Sequence, residues 1–157
     1  MPCVRLTNLH PDFYLLRPAV ERLTQFVASQ EKIACRKIQI IVTDDAMLNH
    51  LKRQFFNEDV LTDTISFSYH ETDQPVEGEI YLSLDRIREN AAHYHTPFAR
   101  EIVTVIVHSL LHLMGYDDAT LSDRKRMFAL QNFYVQQIDV CNLFRHHHRL
   151  PDLRDAR

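Results

Sequence analysis

Glycine is nearly missing from this chain of 157 residues: only Gly78 and Gly115 occur, against an average near 7%. A residue used so sparingly is expected where a side chain would not fit. Cysteine is scarce and odd in number. Cys3, Cys35 and Cys141 form no CxxC pair, so no disulfide framework is expected and a reducing cytoplasm is the natural home. Long apolar runs are absent. The most apolar stretch, Ile102 to Met114, is interrupted by two histidines and falls short of the roughly 20 residues that span a bilayer. Met1 to His10 has no apolar core, so no signal peptide is expected. An excess of basic charge is also lacking: 18 Lys and Arg stand against 21 Asp and Glu, a formal charge of −3. That argues against a protein that coats nucleic acid, while leaving room for a local basic patch.

What is present is ordinary globular composition: 45% hydrophobic, 25% charged and 10% aromatic residues. This excludes a disordered or collagen-like chain. The length fits one domain, able to bury about 68–70% of its unfolded surface without a disulfide staple. Periodicity then predicts the elements. Residues 3–7 and the β-branched run 37–43 read as strands. Residues 63–69 and 79–84 alternate with period two and read as a hairpin. Helical spacing marks Pro18 to Val27. A second helix runs from an Asp44 or Asp45 cap to Phe56, with Met47, Leu48, Leu51 and Phe55 as its apolar stripe. Further helices are expected from Ser83 or Asp85 to Tyr94, from Thr96-Pro97 to Met114, and from Ser122 through Ile138. The reading is an α+β fold: one domain over residues 1–140, a mixed sheet of about four strands, and about five helices packed on it. Residues 141–157 read as a polar, basic, frayed tail.

The chemistry concentrates in residues 97–118. The helix there is apolar nearly all round, as befits a central core element, yet it carries His108 and His112. Four residues apart, they share one face, with Cβ atoms about 5–6 Å apart. Two neutral imidazoles so placed can bind one metal ion. Gly115 lets the chain turn back, and Asp118 follows just after the turn, where its carboxylate can supply a third ligand; Asp117 competes for that role. Three protein ligands and a water make a catalytic zinc site, whereas structural zinc is normally closed by four. Zinc proteases with an H-E-x-x-H helix carry a glutamate base after the first histidine. Here Ser109 stands there, so that reading keeps its ligands and loses its base.

Three blocks resemble the YbeY family of bacterial rRNA-maturation endoribonucleases. The family signature H-G-x-L-H-L-x-G-Y-D-H is matched by HSLLHLMGYDD, residues 108–118. A Thr-Asp block is matched by TDTISF, residues 62–67, and a Gly-Asp/Glu-Ile strand with its following helix by GEIYLSLDRIRENA, residues 78–91. The resemblance implies a single-domain α+β fold with one zinc ion and metal-dependent cleavage of single-stranded RNA. It also implies a role in 16S rRNA 3′-end maturation and ribosome quality control, in the cytoplasm, on the small ribosomal subunit. No membrane or DNA partner is expected.

By position the metal ligands fall on His108, His112 and Asp118, with aspartate replacing the family's third histidine. Ser109 replaces the family glycine. Phe56 stands where many members have an arginine, and Arg53, one helical turn earlier, is the candidate phosphate contact. Glu79 and Asp117 are candidate proton acceptors. Zinc suits the imidazoles, while the carboxylate leaves Mn2+ or Ni2+ open.

Basic walls for RNA are expected from Lys52 and Arg53, from Arg86 and Arg88, and from Arg100. The run Arg124, Lys125 and Arg126 reads as a solvated helix face. Phe55, Phe67 and Tyr69 read as core, and Tyr116 as lining the cleft. The tail Arg145 to Arg149 is not expected to form a site. Two other classes stay open: a zincin-like metallopeptidase with a base recruited from elsewhere, and a non-catalytic ribosome-associated zinc-binding factor with a fourth ligand, for which His93 or His95 is conceivable.

Overall fold

Ile38, Ile40 and Val42 alternate along one strand and are all fully buried, as are Ile80 and Leu82 along another. This period-two pattern makes one sheet face the floor of the core. The computed structural model describes residues 3–147. Its elements are β1 (Val4–Asn8), β2 (Phe13–Leu15), α1 (Arg17–Glu31), β3 (Cys35–Thr43), α2 (Asp45–Phe56), β4 (Thr64–Ser68), β5 (Val76–Ser83), α3 (Leu84–His93), α4 (Phe98–Leu113), α5 (Leu121–Gln137) and β6 (Phe144–His146). The main sheet has the order β1-β3-β5-β4. β1, β3 and β5 run parallel, and β4 is antiparallel to β5. The expected α+β class, mixed four-stranded sheet and five helices are present.

α4 is the central helix. Nine of its residues are buried, Ile102 through Leu113, and it packs against α1, α3, α5 and the sheet. α2 covers the other sheet face through a smaller core of Leu48, Leu51 and Ile65, flanked by Phe67 and Tyr81. Three helix starts are capped by side chains: Asp44 accepts from Met47 N–H, Ser83 from Arg86 N–H and Thr120 from Asp123 N–H, each satisfying an otherwise orphaned donor.

Gly78 sits where a side chain would not fit, and Gly115 sits in open space where the backbone conformation disfavours one. A Cβ on Gly78 would lie 2.6 Å from the Phe67 carbonyl oxygen and 2.8 Å from Leu113 Cδ2. The C-terminal end of α4 therefore lies directly on the sheet. Gly115 has φ +103°, which lets the chain leave α4 in a conformation L-residues avoid.

Several expectations are corrected. Residues 144–146 are not frayed: they pair antiparallel with β2, joining Phe13 to His146 and Leu15 to Phe144. Neither strand had a sequence signal, because three residues from opposite ends of the chain show no period. The rest of the expected tail, 148–157, lies outside the described residues. Cys3 and Cys35 form a disulfide, with Cα atoms 6.0 Å apart. Parallel pairing of β1 with β3 brings them together, which their spacing does not reveal. Phe55, Tyr69 and Met47 are exposed rather than core, since α2 buries only Leu48 and Leu51.

Candidate metal centre

The last two turns of α4 carry His108 and His112 on one face, and the turn after Gly115 returns Asp118 to them. The Nε2 atoms of the two histidines are 3.1 Å apart, and Asp118 Oδ2 is 3.4 Å from His112 Nε2. The three donor atoms all lie within 4.8 Å of one another. Two ligands about 2.0–2.1 Å from a tetrahedral zinc stand roughly 3.3 Å apart, so the spacing suits such an ion.

The proton positions sharpen this fit. His112 Nδ1 faces the Tyr116 carbonyl at 3.1 Å, and a carbonyl only accepts. The ring proton is therefore on Nδ1, and Nε2 presents a lone pair. His108 Nδ1 likewise faces Gln131 Oε1 at 2.9 Å. Two lone pairs then confront each other, an arrangement that calls for a cation between them. Burial pushes His108 below the ordinary imidazole range; its bond to Gln131 and the charges of Asp63 and Asp118 oppose this only in part. Its neutral, metal-binding form is favoured accordingly.

The loop is braced from outside. Tyr116 does not line the cleft as expected. Its hydroxyl donates to Glu31 at 2.5 Å, and the Tyr134 hydroxyl donates to the other oxygen of the same carboxylate. Glu31, at the end of α1, thus holds the turn whose carbonyl orients His112. Asp117 is occupied as well: its Oδ1 accepts from the N–H groups of Asp118 and Ala119 at 2.7 and 3.1 Å.

A cavity of about 520 Å³ opens in front of the donors and is also lined by Lys52, Phe56, Asp63, Thr64 and Ser66. Lys52 lies 4.6 Å above the Phe56 ring and 3.8 Å from Glu58. Arg53, next in sequence, is exposed on α2 and lines no described cavity. Glu79 is not brought to the site either. It lies on the α2 side of the sheet and accepts from the Tyr81 hydroxyl at 2.9 Å, while its neighbours Gly78 and Ile80 face α4. Ser109 is fully buried, bonded to Val105 O and Thr64 Oγ1, so it meets no substrate. His93 and His95 are exposed and, among the described residues, belong to no metal-binding group.

Sequence reasoning missed two carboxylates. Asp63 and Glu101 line a smaller cavity of about 180 Å³ together with His108 and Gln131. Burial raises both carboxyls above the usual range; the nearby His108 opposes this at Asp63, and the Asp63 charge adds to it at Glu101. The available signals were the Thr-Asp block and the spacing of Glu101 seven residues before His108, on the same helix face.

The other basic residues divide by role. Arg86 pairs with Asp45 at 2.9 Å, Arg88 lies over the Phe13 ring, and Arg100 reaches the Val135 carbonyl at 3.4 Å. These three support the fold. The run Arg124–Arg126 is exposed, as expected, and within it Arg124 and Lys125 also line a further cavity beside His108 and Asp118, while Arg126 stands over the Tyr116 ring.

Comparison with known proteins agrees over most of the chain. The profile of the family described as Endoribonuclease YbeY matches residues 12–139. An endoribonuclease YbeY of Amoebophilus asiaticus is 36% identical over 146 residues, covering 91% of this chain and 99% of that protein. One from Chlorobaculum parvum is 40% identical over 114 residues, covering 73% and 80%. The solution structure of a Thermotoga maritima protein superposes with a TM-score of 0.64 at 25% identity, covering 86% of this chain and 88% of the other.

Proposed function

Because this chain belongs to the YbeY endoribonuclease family, a hydrolase acting on RNA, we propose that it cleaves single-stranded RNA with one metal ion held by His108, His112 and Asp118. The observation that carries the reading is the convergence of two Nε2 lone pairs and a carboxylate in an open cavity that also holds a lysine. The donor chemistry favours zinc. When bound, such an ion supplies Lewis acidity to a phosphoryl oxygen and to water. Three ligands leave a position for substrate, and the exposure of His93 and His95 weighs against a closed structural site.

The chain's own residues supply the remaining work. Lys52, which lines the same cavity as the donors, is the better phosphate cation than Arg53, and its charge opposes the negative charge that grows on the phosphoryl group. Asp63 is the carboxylate of that cavity outside the ligand set. We assign it the proton-accepting role in preference to Glu79, which faces the α2 side of the sheet, and Asp117, whose Oδ1 caps the loop. The substrate is 16S rRNA near its 3′ end on the small ribosomal subunit, in the cytoplasm.

The test is cleavage of a single-stranded RNA by the purified protein as isolated, after chelation and after zinc is restored, with His108→Ala as control and circular dichroism on each sample. Cleavage that needs the metal and is lost in folded His108→Ala supports the reading. Folded, fully metallated protein that leaves RNA intact overturns it. Cleavage of peptides instead of RNA moves the site to the metallopeptidase class.

A further inference from the structure

Along α5, Arg124, Lys125 and Phe128 fall at i, i+1 and i+4, so the two cations flank the ring on one side of the helix. Phe128 is 63% exposed, so its ring face is accessible to a ligand. Together with Met127 these residues line a cavity of about 390 Å³ whose remaining wall includes His108 and Asp118. The same two residues border the cavity that contains Lys52. The two spaces therefore meet at the metal donors. One wall is polar and holds Lys52; the other is apolar and aromatic, rimmed by cations.

We infer that the Phe128 cavity is a nucleobase subsite: the base of a nucleotide next to the scissile phosphate stacks on the Phe128 ring, while Lys125 and Arg124 meet the backbone phosphates beside it. The inference rests on the proposed RNA-cleaving activity and names a specificity-determining residue for it. Single-stranded RNA offers unstacked bases, and proteins commonly take them on aromatic faces. An apolar pocket alone could equally take a peptide side chain. Two cations at its rim, on a chain that is acidic overall, complement a phosphodiester backbone better. Arg124 spends part of its donor capacity on the Asp118 and Ala119 carbonyls, both at 3.4 Å. Lys125 makes no hydrogen bond or ion pair within the described residues.

The experiment uses the zinc-loaded full chain and a single-stranded RNA that the wild type cleaves. A series of substrates carries one abasic nucleotide at successive positions around the cut. Phe128→Ala is expected to raise KM by about 5- to 150-fold, the range for loss of one base–aromatic stack, with little change in kcat. Phe128→Tyr should restore it. One abasic position should cost the wild type as much and cost Phe128→Ala nothing further, because both remove the same contact. Lys125→Gln should lessen the salt dependence of KM by about one phosphate contact, a slope change near 0.7.

An unchanged KM in Phe128→Ala overturns the subsite, as does additivity with every abasic position. In either case wild-type cleavage stands, so the activity survives the failure of this inference. A wild type that cleaves no RNA but cleaves peptides in a Phe128-dependent way overturns both and gives the pocket to an amino-acid side chain.

Discussion

His112 gives its Nδ1 proton to the carbonyl oxygen of Tyr116, four residues ahead, at 3.1 Å. The bond crosses the turn at Gly115 and ties the orientation of the ring to the position of the loop that carries Asp118. Since Glu31 holds the Tyr116 side chain, the candidate metal centre is set partly by a carboxylate at the end of α1. We expect Glu31→Ala to weaken zinc binding by about 10- to 100-fold, as for other outer-shell groups. Titration against a chromophoric chelator measures this, and unchanged affinity would remove Glu31 from the support of the site.

Gln131 does for His108 what Tyr116 does for His112. In Gln131→Leu the Nδ1 proton of His108 loses its acceptor, and the ring is free to take the other tautomer. Zinc affinity should fall within the same range while the fold persists. Cobalt-substituted protein provides the spectroscopic check: its visible absorption bands should shift.

Asp118 and Asp117 are separable by metal content. Asp118→Ala should lose zinc on dialysis against a weak chelator, whereas Asp117→Ala should retain it and lose stability instead. The reason is that Asp117 caps two backbone N–H groups of the loop. Mass spectrometry of the two variants decides the assignment, and full occupancy in Asp118→Ala would end the proposed ligand set.

Gly78→Ala tests the seating of α4 on the sheet. The added methyl would press on the Phe67 carbonyl and Leu113, and backbone cannot move aside as readily as a side chain. We expect a loss of about 1–3 kcal/mol, read from urea unfolding. Because His112 precedes Leu113, zinc affinity should decline with it.

The pH dependence of folding has a local handle at Asp85. Burial tends to raise its carboxyl, but the hydrogen bonds from His10 and the Asp45 N–H and the nearby charge of Arg88 outweigh this and lower it below the ordinary value. His10 is buried, and its Nδ1 accepts from the N–H groups of Asp12 and Phe13, so Nε2 carries the proton toward Asp85 at 2.8 Å. A group depressed in the folded state stabilises above its unfolded pKa and loses that contribution as pH falls through the folded value. The stability gap between wild type and Asp85→Asn should therefore be full above pH 5 and close as pH falls below about 3.8, measured by thermal melts across that range.

Much of the fold was legible because its elements carry strong periods. The apolar stretch with His108 and His112 could only be a buried helix, and their spacing put both rings on one face. The scarcity of glycine pointed correctly to Gly78 and Gly115. What was hidden depends on tertiary contacts. β2 and β6 are three residues each and have meaning only together. Cys3 meets Cys35 only because β1 pairs with β3. Gln131, Tyr116 and Glu31 reach the site from α5, a turn and α1, and no local pattern links them. The run Arg124–Arg126 is solvated as it reads, but the place of Arg124 and Lys125 on the rim of a cavity shared with His108 and Asp118 depends on the rotation of α5 about its axis, which no local pattern gives.

The pairing of β2 with β6 sets a timetable for the newly made chain. Phe13 waits for Phe144, which packs on both it and Phe98, until about 130 further residues have been synthesised. During translation the first of these strands is an open edge with an uncovered ring beside it, the kind of surface that recruits other chains. An enzyme whose family acts on RNA thus closes this edge only after residue 146 has been made, and a product truncated near residue 140 would be prone to aggregate.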